Sequence, residues 1–579
     1  MISLRRMVPP LAALSAILLP LSLSALTATP AQAATGFVEE RVYVETTVDT
    51  DGNGRPDRVA IDISRPAGSE KVPSIFEHSP YRKGLNDVPN YGVDVNKLPQ
   101  DSARRPGVAG SPQGQRLVRK PDLTGWIDDY FAPQGYATIS GQSIGTGDSD
   151  GCPTTGDMNE TLGATAVIDW LNGRARGFNS SGGEVKADWS TGKVGMTGIS
   201  YNGTLPNMAA TTGVDGLKAI VPVSAIADWY DYYRANGLVV APGGFQGEDA
   251  DVLAKAVVRK GACASQLGKL TAAQDRVTGD HTDFWKARDY VGKADKVKAA
   301  VFIVHGQADW NVKGKHYAAW LAALRRNNVE HRIWLHKGGH GPANRPDYQQ
   351  GIQAWFDHYL KGIDNGVDRL PKAEVQYGDG TWKKFADWPD PAATDVTLHL
   401  GSTNATDPGT LTSSAVPTAV AQSFVDEGRT KTAGALAATP GKAASNRLVY
   451  LTAPLKAATS LSGTTRVTLR AAVDNRTAAN LTAVLVDYNN GSPKLITRGW
   501  MDPQNHAGLD TSSPVTPGKE YDLTFDLQPM DYVFGAGHQI GLLVISTDYD
   551  YTLRPAAGTK LHLAPAASSI TLPLANYAG

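Results

Sequence analysis

A short stretch around residue 200 constrains the fold of this chain more than any other part of the sequence. Residues 193–204 form an apolar, β-like run that leads through Gly198 to Ser200, and Gly203 opens a helical stretch that continues to Ala210. A chain that turns directly from a strand into a helix needs small residues beside the turn, and it exposes the serine at the positive end of the helix dipole. The second glycine stands one position later than in the common G-x-S-x-G pattern. The strand before it and the helix after it still predict a nucleophilic serine on a strand-to-helix turn.

The surrounding sequence has the alternating pattern of a domain in which helices cover a sheet. From residue 41 to about residue 362, apolar β-rich runs alternate with amphipathic helical stretches. This alternation predicts a mostly parallel sheet with helices on its faces. The predicted strands are 58–63, 74–78, 136–140, 193–197, 219–223, 299–305 and 332–336, and the predicted helices are 161–171, 315–326 and 348–360.

Two changes in residue composition and pattern divide the chain. Residues 224–298 are rich in aromatics at first and helical later, which predicts a cap inserted over the carboxyl edge of the sheet. After residue 371, short alternating runs separated by Gly, Pro, Asn and Ser predict an all-β sandwich, with residues 412–444 as a loop or linker. We therefore predict an export segment at 1–33, an α/β domain at 34–223 and 299–370, a helical cap at 224–298, and a β-sandwich at 371–579.

The N-terminus has the order of parts found in secretory signal peptides. Arg5 and Arg6 precede an apolar stretch, and Ala31-Gln32-Ala33 matches a cleavage signal. A membrane anchor is the alternative, but prolines interrupt the stretch and small residues follow it. We expect a secreted protein cleaved near Ala33. The paired arginines leave both the general and the twin-arginine export routes open.

The charge balance limits the classes of partner, and the cysteine content favours a disulfide. The chain has 56 Lys and Arg against 57 Asp and Glu, a balance that argues against nucleic acid or an anionic membrane as partner. Cys152 and Cys263 are its only cysteines, and a lone pair in an exported protein favours a disulfide.

One acidic segment resembles the start of a calcium loop. Asp49, Asp51, Asn53 and Asp57 have the opening spacing of such a loop, but its twelfth position is Ala60 instead of the usual bidentate glutamate. A polar hairpin turn is the favoured interpretation, and no set of His, Cys and Asp residues has the spacing of a zinc site. We expect neither a metal nor a cofactor.

A nucleophilic serine needs a histidine base and an acid that orients it, and here they are expected in the order Ser, Asp, His. Asp309 follows the apolar run 301–306, where a carboxylate would stand at the carboxyl end of a strand. His340 lies in a glycine-rich loop after the strand 332–336. His305 and His336 compete for the role, but both stand at strand ends, which suits packing better.

Several further stretches resemble the Xaa-Pro dipeptidyl-peptidases, serine peptidases related to bacterial cocaine esterase and α-amino-acid ester hydrolases. The resemblance covers nearly the whole mature chain and rests on residues 78–83, 147–153, 198–204, 229–237, 247–249 and 305–312. It implies an α/β-hydrolase domain with a helical cap and a C-terminal jelly-roll sandwich. It also implies Ser200 as nucleophile, His340 as general acid and base, and Asp309 as the residue that orients it.

The same resemblance implies an oxyanion hole and a binding site for the substrate N-terminus. The hydroxyl of Tyr81 and the backbone N–H of Tyr201 would stabilise the oxyanion. An enzyme that removes two residues needs an anion roughly 7 Å from the serine to bind the substrate ammonium. Glu248 matches that anion, and Asn311 is the expected second ligand of the first substrate residue.

Proline at the second substrate position suits a pocket with aromatic walls, because its ring is compact and apolar. We choose Trp229 and Tyr232 for those walls, from an aromatic run that could equally belong to the core. The expected substrates are peptides with a free N-terminus and penultimate proline, and a monomer is favoured.

Two other functions keep the same sequence features. An esterase or acylase of the same superfamily would retain the triad and Tyr81 without the need for Glu248. A secreted carbohydrate- or surface-binding protein would rely on its β-sandwich, but an intact set of Ser200, Asp309 and His340 argues against an inert hydrolase domain.

Overall fold

The structure, a computed structural model, describes residues 36–94, 102–103, 126–259 and 263–578. The predicted export segment, residues 1–33, lies outside the described residues. Among the helices that the structure describes, none has the length and apolar character needed to cross a membrane.

The first part of the chain is built on one large mixed sheet. In chain order its strands are β1 Phe37–Glu45, β2 Arg58–Pro66, β3 Val72–Ser79, β6 Ala137–Gln142, β7 Gly177–Phe178, β8 Glu184–Val185, β9 Ser190–Ile199, β10 Leu217–Val223, β13 Ala300–Gly306, β14 His331–His336, β15 Ala373–Gln376 and β16 Trp382–Phe385. Two short pairs lie outside it: β4 Asn90–Tyr91 with β5 Ser102–Ala103, and β11 Arg234–Ala235 with β12 Leu238–Val239. All seven predicted strands are present, each within three residues of its expected ends.

The order across the sheet is β16-β15-β14-β13-β10-β9-β3-β6-β2-β1-β7-β8. The block from β15 to β6 is parallel throughout, and antiparallel strands close both edges. Because parallel strands share one direction, their carboxyl ends all meet along one edge, where the loops after β3, β9, β13 and β14 emerge.

Helices cover both faces of the sheet, because residues of the central strands alternate between two cores. In β13, Val301 and Ile303 join the core on one face of the sheet, whereas Phe302 and Val304 join the core on the other face. This alternation follows from the two-residue period of side chains along a strand. The helices are α1 Trp126–Phe131, α2 Met158–Leu171, α3 Tyr201–Ala210, α4 Trp229–Tyr233, α5 Ala250–Val257, α6 Ala264–Ala273, α7 Asp283–Lys286, α8 Lys315–Arg326 and α9 Tyr348–Phe356.

The predicted cap segment, 224–298, leaves the sheet after β10 and returns to it at β13. Helices α4 to α7 lie within it. The disulfide between Cys152 and Cys263 joins the loop before α2 to the residue that precedes α6. The cap is therefore covalently attached to the domain into which it is inserted.

The first sheet continues past residue 370, the predicted end of the α/β domain. β15 adds to β14 in parallel after the α9 crossover, and β16 then folds back antiparallel to β15. Both strands lie beyond residue 370 and belong to the first sheet. The sequence pattern could not show this, because short strands at a sheet edge alternate in the same way as strands of a sandwich.

The C-terminal part is a separate all-β domain. Its strands are β17 Thr394–Gly401, β18 Gly409–Thr412, β19 Gln422–Val425, β20 Leu448–Leu451, β21 Thr459–Gly463, β22 Arg466–Val473, β23 Leu481–Asn489, β24 Ser492–Met501, β25 Tyr521–Asp526, β26 Met530–Phe534, β27 Gln539–Ile545, β28 Lys560–Leu563 and β29 Ser569–Ala575. Apart from the parallel pair β18 and β20, these strands pair antiparallel around their own apolar core. The jelly-roll arrangement itself stays a prediction.

Residues 412–444, predicted as a loop or linker, contain β19 and a short helix, α10 Ala433–Ala437. Leu436 and Ala437 of α10 pack on Val484, Val486 and other residues of the outer sheet face. The sequence pattern did not predict this helix, because its small residues give no clear apolar face. An alanine-rich stretch resembles a linker when the surface against which it packs is unknown.

A buried ion pair within the C-terminal domain lies where that domain contacts the first one. Arg498 of β24 donates to both carboxylate oxygens of Asp548 at 3.0 and 2.9 Å, and the Trp500 indole N–H donates to the same carboxylate. The Arg498 guanidinium also lies 5.1 Å from the ring centre of Trp310, the residue after Asp309. The C-terminal domain therefore packs directly against the loop that carries Asp309.

Asp548→Ala should strongly destabilise this interface, because it leaves the buried Arg498 charge without its carboxylate at a cost of about 3–5 kcal/mol. We expect a lower melting temperature of the full chain by calorimetry, together with lower activity. Asp522→Ala, which breaks the exposed pair of Asp522 with Arg470, is the matched control and should leave the melting temperature almost unchanged. Equal effects of the two variants would contradict this account of the interface.

Candidate active site

The carboxyl edge of the parallel sheet brings together the loops that carry the predicted catalytic side chains. Ser200 directly follows β9, Asp309 follows β13, and His340 follows β14, while Tyr81 stands just after β3. β9, β10, β13 and β14 are adjacent and parallel. Residues that lie far apart along the chain therefore converge at one site.

Ser200 occupies a strained backbone position between β9 and α3. Its φ is 92° and its ψ is −115°, a region that a residue with a side chain rarely adopts. The Ser200 N–H donates to the carbonyl of Val223 at 2.9 Å, and the Ser200 carbonyl accepts the N–H of Thr204 at 2.8 Å. These bonds hold the turn between two well-packed elements, so the hydroxyl is presented at the sheet edge.

The two glycines beside the serine are required for space. A Cβ on Gly203 would lie 2.7 Å from the carbonyl oxygens of both Gly198 and Val223. A Cβ on Gly198 would lie 2.5 Å from the carbonyl oxygen of Asn202. The obstructing atoms are all backbone, which cannot move without opening the turn. Gly203, one position later than in the common pattern, therefore still stands where the turn has no room for a side chain.

Ser200, His340 and Asp309 form a continuous hydrogen-bonded chain. His340 Nε2 lies 2.8 Å from Ser200 Oγ, and His340 Nδ1 lies 2.7 Å from Asp309 Oδ2. Because a carboxylate only accepts, Nδ1 carries the proton and Nε2 is left to accept the serine proton. Asp309 Oδ1 accepts the N–H groups of Asn311 and Val312 at 3.0 and 2.9 Å, which holds this buried carboxylate in place.

The two competing histidines have structural partners. His305 Nε2 donates to the carbonyl of Val312 at 2.8 Å, and burial lowers its pKa to about 4, so it stays neutral. His336 Nδ1 accepts the N–H of Gly338, and its Nε2 donates to the carbonyl of Gly341. Both rings therefore brace the loops around Asp309 and His340.

The two predicted oxyanion residues are neighbours. The rings of Tyr81 and Tyr201 meet edge to face with centroids 5.9 Å apart, and Tyr201 is the first residue of α3. The Tyr201 hydroxyl donates to Glu160 Oε2 at 2.6 Å, and that oxygen also accepts the N–H of Gly156. Burial raises the pKa of Glu160. Nothing in the sequence singled out Glu160, which lies in the first turn of α2.

The predicted aromatic walls belong to a larger buried cluster. Trp229 is fully buried and donates its indole N–H to the Tyr290 hydroxyl at 2.8 Å. Its ring contacts Tyr201 at 4.8 Å and Tyr232 at 5.7 Å between centroids. The Tyr232 hydroxyl donates to Asn311 Oδ1 at 2.8 Å. The cluster thus connects the helix that follows Ser200 with the loop that follows Asp309.

Glu248 lies at the buried end of the same cluster, 6% exposed. Tyr233, which stacks on Trp229, donates its hydroxyl to Glu248 Oε1 at 3.2 Å. The neighbouring acids have other roles: Asp249 caps α5 and pairs with Arg234, and Asp251 pairs with Lys255. Tyr233 was missed by the sequence interpretation, although it stands in the aromatic run from which Trp229 and Tyr232 were chosen.

The parallel sheet, the strained serine turn and the order of the three hydrogen-bonded residues place the fold among the α/β-hydrolases. Solved structures agree on the fold. The chain superposes on an α-amino acid ester hydrolase with a TM-score of 0.65 at 18% identity, covering 95% of this chain and 99% of that one. It superposes on a CocE/NonD family hydrolase from Staphylococcus aureus with a TM-score of 0.67 at 15% identity, over 93% and 97%.

Sequence comparisons identify the family of this chain within the α/β-hydrolases. The family model of the X-Pro dipeptidyl-peptidases (S15 family) matches residues 51–342, and that of their C-terminal non-catalytic domain matches residues 365–574. A Bacillus cereus protein named provisionally as an Xaa-Pro dipeptidyl-peptidase is 49% identical over 93% of this chain and 90% of its own length. The Xaa-Pro dipeptidyl-peptidase of Lacticaseibacillus casei is 35% identical over 93% and 76%. The chain belongs to the Xaa-Pro dipeptidyl-peptidase family of serine peptidases, which confirms the resemblance seen in the sequence.

Gly203→Ala should disrupt the serine turn, because its methyl group would collide with two backbone carbonyls. We expect most of the peptidase activity to be lost, measured against the amount of folded protein in solution. Gly268→Ala is the matched control, since a Cβ there, on the exposed side of α6, meets nothing within 4 Å. The control should keep full activity and gain slightly in stability, because alanine favours helices over glycine. Full activity of Gly203→Ala would refute the spatial argument.

Proposed function

We propose that this chain is a secreted serine exopeptidase that releases Xaa-Pro dipeptides from peptides with a free N-terminus. The observation that carries the proposal is the hydrogen-bonded chain from Ser200 through His340 to Asp309, joined by Asn311 and the aromatic cluster to the cap that holds Glu248. A simple hydrolytic triad would not need a buried carboxylate in the cap.

In the proposed reaction, Ser200 Oγ attacks the carbonyl carbon of the substrate proline while His340 Nε2 takes up the hydroxyl proton. The imidazolium then gives that proton to the nitrogen of the departing peptide, which leaves an acyl-enzyme. Water, deprotonated by His340, hydrolyses the ester and restores Ser200. The buried carboxylate of Asp309 holds the required tautomer and stabilises the imidazolium.

The tetrahedral intermediate carries a negative oxygen that needs preorganised donors. The backbone N–H of Tyr201 stands at the N-terminus of α3, where the helix dipole also favours negative charge. The hydroxyl of Tyr81 is proposed as the second donor. Its ring packs on Tyr201, so the two donors would share one rigid support.

Glu248 is proposed to bind the substrate ammonium. Arg234 and Arg276 pair with Asp249, and Lys255 pairs with Asp251, so these two acids are already neutralised. Glu248 accepts the Tyr233 hydroxyl at the buried end of the aromatic cluster, and this placement in the cap supports a role in binding the substrate ammonium. Asn311 would bind the same residue of the substrate, and Trp229 and Tyr232 would form the walls of the proline pocket.

The location and assembly are proposed with the same function. Export, with cleavage near Ala33, is supported by the disulfide between Cys152 and Cys263, since such bonds persist in oxidising compartments. We propose a monomer that acts on peptides, with neither nucleic acid nor a membrane as partner.

Tyr81→Phe should lower kcat by about 10²–10³-fold, because it removes one oxyanion donor and keeps the ring. The change in KM should be small, since the donor acts mainly on the transition state. Steady-state kinetics on Ala-Pro-p-nitroanilide measure both constants. An unchanged kcat would exclude Tyr81 from the oxyanion hole.

Glu248→Gln should lower kcat/KM for Ala-Pro-p-nitroanilide by at least about tenfold, because a charge-assisted bond to the substrate ammonium contributes roughly 1.5–3 kcal/mol. Tyr233→Phe should give a smaller loss, as it removes only the hydroxyl that holds Glu248. Glu184→Gln, an exposed acid on β8, serves as the control and should change nothing. Ser200→Ala should abolish the activity.

The same proteins separate the proposal from its nearest rival when N-acetyl-Ala-Pro-p-nitroanilide and a simple aryl ester are added. A dipeptidyl-peptidase should cleave only the free-amine substrate well. Equal turnover of all three substrates, with Glu248→Gln close to wild type, would identify an esterase or acylase on this scaffold instead.

A further inference from the structure

The loop between β1 and β2 contains an acidic cluster that the proposed reaction does not use. Its residues Asp49, Asp51, Asn53, Arg55 and Asp57 stand at alternating positions. Each of the three aspartates places one carboxylate oxygen within 4.8 Å of an oxygen of each of the other two. Gly54, the sixth residue of the loop, has a φ of +83°, which permits the sharp turn that calcium loops make at that position.

Asp57 is the residue that a hairpin turn alone does not explain. It is 1% exposed, and its Oδ2 accepts both the N–H and the hydroxyl of Thr50 at 2.8 and 2.6 Å. Its Oδ1 is buried and has no hydrogen-bond partner among the described residues. A buried carboxylate oxygen without a donor is costly, and it is rare in native proteins.

The charges around Asp57 add to that cost. Across the ranges that the structure describes, no Lys, Arg or His nitrogen lies within 4.0 Å of Asp49, Asp51 or Asp57. The carboxylates of Asp51 and Asp49 lie beside Asp57 instead. Asp49 is held differently, since backbone N–H groups of Gly52, Asn53 and Gly54 donate to its carboxylate. Three acids are thus held together, and none of the described cationic side chains lies close enough to pair with them.

We propose that this loop binds one calcium ion. The carboxylates of Asp49, Asp51 and Asp57 are its ligands, together with the side-chain oxygen of Asn53 and the backbone carbonyl of Arg55. An all-oxygen set favours a hard cation, and a loop of this spacing suits Ca²⁺ better than the strictly octahedral Mg²⁺. This revises the expectation of a metal-free turn, because the sequence could not show that Asp57 is buried.

The twelfth loop position, Ala60, lies inside β2 and supplies no carboxylate. Water would complete the coordination, and the affinity should be that of extracellular calcium modules, with Kd on the order of 10⁻⁴–10⁻³ M. Such an affinity matches an exported protein, where calcium is abundant, and it makes the site a structural one.

The loop contacts suggest what the ion stabilises. The Thr50 hydroxyl accepts the N–H of Cys152 at 2.7 Å, and Gln266 of α6 donates to the carbonyl of Asp51 at 3.1 Å. Cys152 is disulfide-bonded to Cys263, directly before α6. A bound ion would therefore rigidify the point where the β1–β2 loop, the disulfide and the cap meet.

The test uses the full mature protein, stripped with EGTA and exchanged into metal-free buffer. Titration calorimetry with CaCl₂ should show one site per chain, and scanning calorimetry should show a melting temperature that rises with the concentration of CaCl₂. MgCl₂ at the same concentrations should give a clearly smaller rise. Asp51→Asn should raise the Kd for Ca²⁺ at least tenfold and reduce the calcium-dependent rise in melting temperature.

Glu70→Gln, an exposed acid in the turn after β2, is the charge-matched control and should bind Ca²⁺ as wild type does. Asp51→Asn should keep wild-type activity at 25 °C, which also shows that it folds. Absence of calcium binding and of any shift in the wild type would overturn the proposal. It would also be overturned by an undiminished shift in Asp51→Asn, or by an equal response to Mg²⁺.

Discussion

The close packing of backbone at the serine turn is the constraint on which the rest of the site depends. The turn at Ser200, with its positive φ, packs this closely because Gly203 has no side chain to collide with the carbonyls of Gly198 and Val223. Gly198 likewise has none to collide with the carbonyl of Asn202. β10 must therefore lie beside β9, and the parallel sheet must extend on that side. Once the serine stands at the sheet edge, the loops after β13 and β14 bring an acid and a base to it at the same edge.

The loop after β13 connects that edge to the other two parts of the molecule. Asp309 binds His340, Asn311 accepts the hydroxyl of Tyr232 in the cap, and Trp310 packs against Arg498 of the C-terminal domain. Three consecutive residues thus link the base, the cap and the β domain. A C-terminal domain described as non-catalytic can in this way still affect the position of Asp309.

The aromatic cluster illustrates a limit of interpretation from sequence. The four aromatic residues in the range 229–233 are buried, and their rings form core contacts, as aromatic runs usually do. The same rings also hold Glu248 and Asn311 through tyrosine hydroxyls. Core and binding site are therefore not alternatives here, because a tyrosine can bury its ring and still direct its hydroxyl to a polar partner.

Much of the architecture followed from local patterns. The alternation of apolar and helical runs identified the central strands, and the bounds of α8 were predicted to the residue. The change of pattern after residue 371 predicted a separate all-β domain, which the structure and the family models confirm. The resemblance to the Xaa-Pro dipeptidyl-peptidases, carried by short motifs, is confirmed as well. Edge strands such as β15 and the alanine-rich helix α10 were missed, because their conformation depends on the surface against which they pack.

The sequence by itself determined the strand-to-helix turn at Ser200, the order of the serine, acid and histidine, and the family. These features are local, or are carried by motifs whose spacing along the chain is enough to recognise them. Only the tertiary structure decided which histidine contacts Ser200, that Tyr233 holds Glu248, that Glu160 holds Tyr201, and that Asp57 is buried among acids. The reason is physical: burial and hydrogen-bond partners are set by segments far apart in the chain, and no local pattern records where those segments meet.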